Sequence, residues 1–345
     1  MRSRLFLCFS ALALLSNSVL ASSGDRANDF QRCAARCESQ TCASDIDHTI
    51  SFLDALTHWT CADQCKYQCM HTITDFAIET GVPVQQYYGK WPFWRFLGMQ
   101  EPASVLFSLM NLLLHVWGRA EVQRDVPDGH PMKKYYIWWS YVSSNAWIWS
   151  AVLHTRDVSL TEKLDYFSAA LTILYSLYFS VIRLFHLYPI DPRNRPFSSS
   201  TFDTIQRQKL YYFWSVACVF IYLGHVSYLL NLPRFDYTYN IIFNLVLGLS
   251  HNFLWLTFAF PSSYSLFRRF TSKPKSYRPA YATTAAKAVV LTTAATCLEL
   301  FDFAPWHRVV DAHSLWHLAT VPLAVIWYDF LILDARDAGW KGIGA

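Results

Sequence analysis

At 345 residues, with 53% hydrophobic and 17% aromatic residues, this chain is far more apolar than a soluble domain of its length, so most of it belongs in a membrane. The formal charge of +4 is mild, and the basic residues sit in short loops rather than in a stripe or tail, which argues against nucleic acid as a partner.

In chain order, Met1-Arg-Ser-Arg4, the apolar run Leu5 to Leu15 and the small-residue stretch ending Val19-Leu-Ala21 read as a signal peptide over residues 1–21, cleaved after Ala21. An uncleaved anchor is the alternative. Of nine cysteines, six fall between 33 and 69: Cys33, Cys37, Cys42, Cys61, Cys65 and Cys69. An even set behind a signal peptide implies an oxidising lumen and three disulfides, with fifteen pairings left open. The C-x3-C-x4-C and C-x3-C-x3-C spacing could instead hold metal, but the secretory context favours oxidation. Residues 22–98 thus read as a small luminal domain whose limited core the bridges staple. Its end, Gln86-Tyr-Tyr-Gly-Lys-Trp-Pro-Phe-Trp94, is rich in the aromatics that settle at headgroup depth.

Seven apolar segments follow at 102–118, 135–154, 164–186, 210–230, 238–260, 281–300 and 314–333, most of the length that a bilayer core demands. The expected fold is an all-α membrane protein: a seven-transmembrane-helix bundle over 99–335, a disulfide-rich luminal N-terminal domain, and a cytosolic tail at 336–345. The sixth segment, rich in Ala and Thr and carrying Lys287 and Glu299, is the least regular of them. With the amino terminus luminal, the cytosolic segments hold fifteen basic residues, among them Lys133, Lys134, Arg268, Arg269 and Lys273. The short luminal loops hold four, namely Arg156, Lys163, Arg234 and Arg308. The positive-inside rule therefore agrees with the signal peptide and the cysteines.

In this topology Ser150 and His154 end the second helix at the luminal edge, Asp165 starts the third there, and His313 and His317 start the seventh. Histidines four apart share a helical face, so His313 and His317 can reach one ion. Three imidazoles and a water are the donor set of a catalytic zinc, which lowers the pKa of its water to about 7 and polarises a carbonyl. His154, His313 and His317 are the expected ligands. Asp165 would take the water's proton or orient a ligand, Ser150 would hydrogen-bond the hydroxide or oxyanion, and Asp311 would stand behind a ligand. The alternative for each is a polar side chain snorkelling to the interface. Two deeper polar stripes, Ser104/Ser108/Asn111/His115 and Asn240/Asn244/Gly248/His251, read as interhelical hydrogen bonds before catalysis, and Arg183 reads as snorkelling to the cytosol.

The paired cysteine clusters, Gln-Tyr-Tyr-Gly-Lys-Trp-Pro-Phe (86–93), Gln-Glu-Pro-Ala-Ser-Val-Leu-Phe-Ser (100–108), His-Thr-Arg-Asp (154–157), Glu-Lys-Leu-Asp-Tyr-Phe (162–167), His-Asn (251–252) and Asp-Ala-His-Ser-Leu-Trp-His (311–317) resemble the post-GPI-attachment-to-proteins factor three family and its fungal members. The resemblance covers nearly the whole mature chain. It places the chain in a superfamily with alkaline ceramidases and the progestin and adiponectin receptors, whose shared motif is Ser-x3-His, an Asp near the next helix, and His-x3-His in the last. Ser150, His154, His313 and His317 fit that motif. For the acid the resemblance favours Asp165, with Asp157 as competitor. What it implies is removal of the sn-2 acyl chain of a GPI anchor's phosphatidylinositol, as a phospholipase A2 would do it. GPI-anchored proteins and membrane lipids would be the partners, in the endoplasmic reticulum or alternatively the Golgi. A ceramide amidase, or a non-catalytic receptor or chaperone-like factor with structural zinc, are the competing functions. Acyl preference and oligomeric state are not legible.

Overall fold

A computed structural model describes residues 22–42, 51–189, 201–261, 263–299 and 301–341, without the side chains of 201–204 and 299; the expected signal peptide lies outside them. The described residues are helical, with one isolated bridge between Tyr87 and Lys90. Two compact units are present: one reaches to Gly98 and includes Ala304–Val309, the other comprises Met99–Phe303 and Val310–Ala345.

The first unit is built on two helices, α1 (Asn28–Thr41) and α3 (Cys61–Thr80), with the short α2 (Phe52–Leu56) between them. Cysteines recur once per turn on the facing sides of α1 and α3, so an antiparallel pairing brings them together as a ladder. The bonds are Cys33–Cys69, Cys37–Cys65 and Cys42–Cys61, with Cα separations of 5.8, 5.6 and 5.9 Å, inside the range that a disulfide spans without backbone movement. This selects one of the fifteen pairings. Thr60 and Asp63 form a capping box at the start of α3, and Gly81 ends it at φ 71°, where only a residue without Cβ sits at no steric cost. A small core of Phe30, Cys69 and Tyr87 completes the pair. Further along α3, His71 stacks on Trp94 with ring centroids 3.9 Å apart; its Nε2–H donates to the Phe93 carbonyl (3.1 Å), and its Nδ1 accepts from Arg308 (2.9 Å).

The second unit contains α4 (Pro102–Asp125), α5 (Lys133–Thr155), α6 (Ser159–Leu184), α7 (Thr201–Asn231), α8 (Tyr237–Ala259), α9 (Ala282–Glu299) and α10 (Ala312–Ala335). Each expected apolar segment is therefore a helix. Five of them, α4, α6, α7, α8 and α10, are long and apolar enough to cross a membrane; in α7 this holds for Ile205–Asn231. The chain is a multi-pass membrane protein on that count. The other two differ for visible reasons: α5 opens on Lys133-Lys134 and draws its apolarity from Trp and Tyr, whose polar atoms keep mean hydropathy low, while α9 is apolar but short.

Six helices pack as a closed cycle, α4 on α5, α5 on α6, α6 on α8, α8 on α9, α9 on α10 and α10 on α4; α7 packs outside it on α6. The α4–α10 contact is close because Gly118 of α4 faces the Tyr328 ring, where a Cβ would stand 2.2 Å from ring carbons. The expected polar stripe of α4 lies in this seam. Asn111 Nδ2 donates to the His317 carbonyl (2.8 Å), His115 Nδ1 meets the Tyr328 hydroxyl (3.0 Å), and Ser140 of α5 donates to the His115 carbonyl (3.1 Å). The α8 stripe does less: Asn244 bonds Asn240 of its own helix, and the bond across to α9 runs from Asn252 to Thr293.

One expectation is corrected here. Arg183 does not snorkel; it is wholly buried between α6 and α10. Its Nε and Nη2 donate to the two carboxylate oxygens of Asp334 at 2.6 and 2.7 Å, and Nη1 donates to the Arg269 carbonyl at 2.9 Å. A carboxylate in the last turn of α10 offers a bidentate partner, which holds the guanidinium more firmly than an exit to water.

Candidate metal centre

The centre begins with a helix start. Pro102 occupies the first turn of α4, where its missing N–H is no loss, and keeps Glu101 before it out of the helical region, at φ −129° and ψ 76°. In that conformation the Gln100 and Glu101 N–H groups donate to the carbonyls of Thr155 and His154 at 3.0 and 2.9 Å. They thereby satisfy acceptors that the end of α5 would otherwise leave unpaired. Glu101 is thus tied to His154 through the backbone, and its carboxylate returns to the same residue. His154 Nδ1 lies 2.7 Å from Glu101 Oε2, both side chains being almost fully buried.

On α10, Asp311 is the N-cap, its Oδ1 accepting from Ser314 N at 2.8 Å while Ser314 Oγ accepts from Asp311 N at 2.9 Å. The carboxylate that the sequence placed behind a ligand instead starts the helix that carries two of them. One turn on, His317 Nδ1 lies 3.0 Å from Ser108 Oγ. Ser108 has one proton, which goes to the Ser104 carbonyl at 2.7 Å. Its lone pairs then accept from His317 Nδ1–H and from Ser150, 3.0 Å away.

These partners fix the tautomers of two rings. With Nδ1–H of His154 given to Glu101 and Nδ1–H of His317 given to Ser108, both rings present an Nε2 lone pair. Those nitrogens converge with the Nε2 of His313, at 3.3 Å from His154 and 3.0 Å from His317, and one ligand atom from each residue lies within 4.8 Å of the others. His313 can supply at most one Nε2 proton to two acceptors, so the trio is short of positive charge. A cation held between them would supply it. Three imidazole nitrogens on a tetrahedral ion at about 2.0–2.1 Å stand about 3.3–3.4 Å apart, close to the two separations measured from His313. The donor set therefore fits a zinc ion. Trp147 lies edge-on to His317 at 5.3 Å and Trp316 lies at 5.7 Å from His313, which limits the directions from which water can enter.

The profile of the Per1-like family matches residues 51–335. The chain belongs to the Per1-like family. It is 37% identical over 332 residues to the Schizosaccharomyces pombe protein named PER1 homolog, covering 95% of this chain and 91% of that one. A Drosophila melanogaster protein named post-GPI attachment to proteins factor 3 is 36% identical over 330 residues, covering 92% and 90%. A Homo sapiens protein named GPI-specific phospholipase A2-like PGAP3 is 36% identical over 336 residues, covering 96% and 94%.

In this Per1-like chain the structure brings His154, His313 and His317 together, and Ser150 joins them through Ser108 rather than directly. Asp165 is half-buried in the second turn of α6. On the same face Ser168 accepts from Asn145 (2.9 Å) and Thr172 donates to the Val142 carbonyl (3.1 Å), which lays this stripe along α5. Asp157 sits in the turn between α5 and α6, where its N–H donates to Gln100 Oε1 (3.2 Å). Sequence reasoning missed Glu101 and Ser108 as site residues. The signal for Glu101 was available: a carboxylate at the first residue before an apolar helix, at the depth assigned to the histidines.

Proposed function

We propose that this Per1-like chain is a seven-span membrane hydrolase that removes the sn-2 acyl chain from the phosphatidylinositol of GPI-anchored proteins, with zinc as its metal. The observation that carries this reading is the convergence of three imidazole Nε2 atoms whose two best-defined rings are oriented from behind by Glu101 and Ser108. The names of its relatives, which speak of GPI attachment and of a GPI-specific phospholipase A2, supply the substrate class.

His154, His313 and His317 would hold the ion, which when bound acidifies a water and polarises an ester carbonyl. Glu101 keeps the His154 tautomer and raises its basicity, and Ser108 does the first of these for His317. Asp165, on the stripe of α6 that lies along α5, would take the proton from the attacking water and pass it to the departing alkoxide, which leaves as the alcohol. Ser150, one turn from His154 and hydrogen-bonded to Ser108, keeps Ser108 fixed as an acceptor. The flanking tryptophans, with a polar tip and an apolar body, suit a reaction at the boundary of headgroups and hydrocarbon.

The same reading places the disulfide-bonded unit and the histidines on the luminal side, the carboxyl terminus in the cytosol, and the protein in the endoplasmic reticulum. It counts α5 and α9 as spans, their shortfall in hydropathy or length offset by neighbours within the helix cycle.

The test is the acyl composition of GPI anchors in cells lacking this protein, rescued with wild type or with His317→Ala. Unsaturated sn-2 chains are expected to persist in the null and in the His317→Ala rescue and to disappear with wild type; identical anchors in all three would sink the proposal and make ceramide turnover the next assay. Asp165→Asn sharpens it: the purified variant is expected to retain zinc, measured by atomic emission, while losing turnover by two to four orders of magnitude, as about 10²–10⁴ is the usual worth of a positioned acid–base group. Full remodelling by Asp165→Asn would take the acid–base role from it.

A further inference from the structure

Far from the histidines, a groove of about 540 Å³ runs along the outer seam of α9 and α10, lined by Thr284, Lys287, Val290, Leu291, Ile326 and Asp329. Lys287 lies five residues inside the start of α9 and Asp329 six residues before the end of α10, so both charges stand about 8–9 Å in from the ends of antiparallel helices. Asp329 is twelve residues beyond His317, about 18 Å along the axis. Both side chains are exposed on the outside of the helix cycle, and neither has an ion-pair partner among the described residues.

A cation and a carboxylate on the lipid-facing flank of membrane helices are costly unless something there matches them. They could have neutralised each other across the groove and do not. Between them are apolar walls, with Val290 60% and Leu291 46% exposed. The complementary ligand carries an anion, a cation and hydrocarbon in that order of reach.

We propose that this groove is a binding site for a zwitterionic phospholipid with a primary ammonium headgroup, a phosphatidylethanolamine. Lys287 takes the phosphate as a point charge, Asp329 accepts hydrogen bonds from the ammonium, and the glycerol and upper chain lie on Val290, Leu291 and Ile326. Ethanolamine is preferred to choline because a quaternary ammonium donates no hydrogen bond and is recognised by aromatic faces, of which the groove has none. The site is independent of the hydrolase reading and asks nothing of the histidines.

The experiment uses the purified full chain in detergent, delipidated and then titrated with palmitoyl-oleoyl phosphatidylethanolamine, phosphatidylcholine or phosphatidylglycerol, with retained lipid counted by native mass spectrometry. Phosphatidylethanolamine is expected to be retained about tenfold more strongly than phosphatidylcholine, the scale of one charge-assisted hydrogen bond. Asp329→Asn is expected to erase that preference, whereas Lys287→Gln weakens both zwitterionic lipids alike. Since both side chains are exposed, the variants should keep the wild-type elution volume and melting temperature. Glycerophosphoethanolamine, the headgroup without chains, should not compete. Three results would overturn the proposal: equal retention of phosphatidylglycerol and phosphatidylethanolamine, a preference that survives Asp329→Asn, or displacement by the chain-free headgroup.

Discussion

Two buried polar clusters in the helical unit make an instructive pair. Around Arg183 each guanidinium nitrogen has an acceptor: Asp334 takes two and the Arg269 carbonyl takes one, while Tyr281 adds a hydroxyl to Asp334 Oδ1 at 3.3 Å and Trp340 donates to the Asp334 carbonyl at 2.7 Å. Phe270 and Trp340 close over the guanidinium at 4.7 Å each. Around the histidines the outward nitrogens of His154 and His317 are equally well matched, but inward one Nε2 proton of His313 at most must serve two acceptors. The first cluster is complete in itself. The second leaves a nitrogen lone pair that a cation could take up, and that contrast separates a buried network that joins helices from one that could hold a reagent.

The largest effect expected from this contrast is at Asp334. Asp334→Ala leaves a wholly buried arginine without its counter-charge, and breaking such a pair costs about 3–5 kcal/mol. Loss of monodisperse protein, or a steep fall in the melting temperature of the detergent-solubilised chain, is the expected outcome. The double variant Arg183→Met/Asp334→Leu should recover most of it, because two apolar groups of similar volume leave no charge to satisfy. A double variant as unstable as Asp334→Ala would show that the pair contributes more than mutual neutralisation. By contrast, His313→Ala should fold normally, since His154 and His317 keep the outward bonds to Glu101 and Ser108 that hold their rings.

Glu101 offers a finer cut. Glu101→Gln keeps an oxygen that can accept from His154 Nδ1–H but loses the negative charge, and the loss of such an outer partner typically weakens metal affinity by about 10–100-fold. Competition against a zinc chelator measures it directly on the purified chain. Glu101→Ala removes the acceptor as well and is expected to lose more, whereas zinc affinity unchanged in both would mean that the backbone bonds from Gln100 and Glu101 alone hold His154.

How much of this was legible in the sequence follows from where each signal lives. Helix positions came from long apolar runs, and the three histidines from spacing and depth, because a four-residue spacing fixes a face and alternating topology fixes an end. The disulfide pairing did not, since once-per-turn cysteines on two helices fit parallel and antiparallel ladders alike until α1 and α3 are seen side by side. Glu101 and Ser108 escaped because their meaning lies in a partner more than forty residues away: Glu101 reads as a helix start and Ser108 as a small residue in a seam. Arg183 was misread for the same reason. The snorkelling rule assumes water as the nearest relief for a charge, and Asp334, 151 residues on, is nearer.

The smallest expected effect tests the same reasoning in the disulfide-bonded unit, where His71 lies between the two extremes. Its Nε2–H is used by the Phe93 carbonyl and its Nδ1 accepts from Arg308, which also pairs with Asp75, so the ring is complete while neutral. Burial, with the Arg308 charge next in weight, lowers its pKa from 6.5 to about 4. Because the folded-state value is depressed, the unfolded chain binds the proton first as pH falls. Stability from this contact is therefore fully present above about pH 6.5, declines between 6.5 and 4, and is lost below 4. The melting temperature of the oxidised chain should fall over that window in wild type and fall less in His71→Phe, which keeps the stack on Trp94 without a titrating nitrogen. A wild-type profile flat from pH 7 to 4 would show that Arg308 yields its bond to His71 at no cost, and that the cluster is looser than its geometry implies.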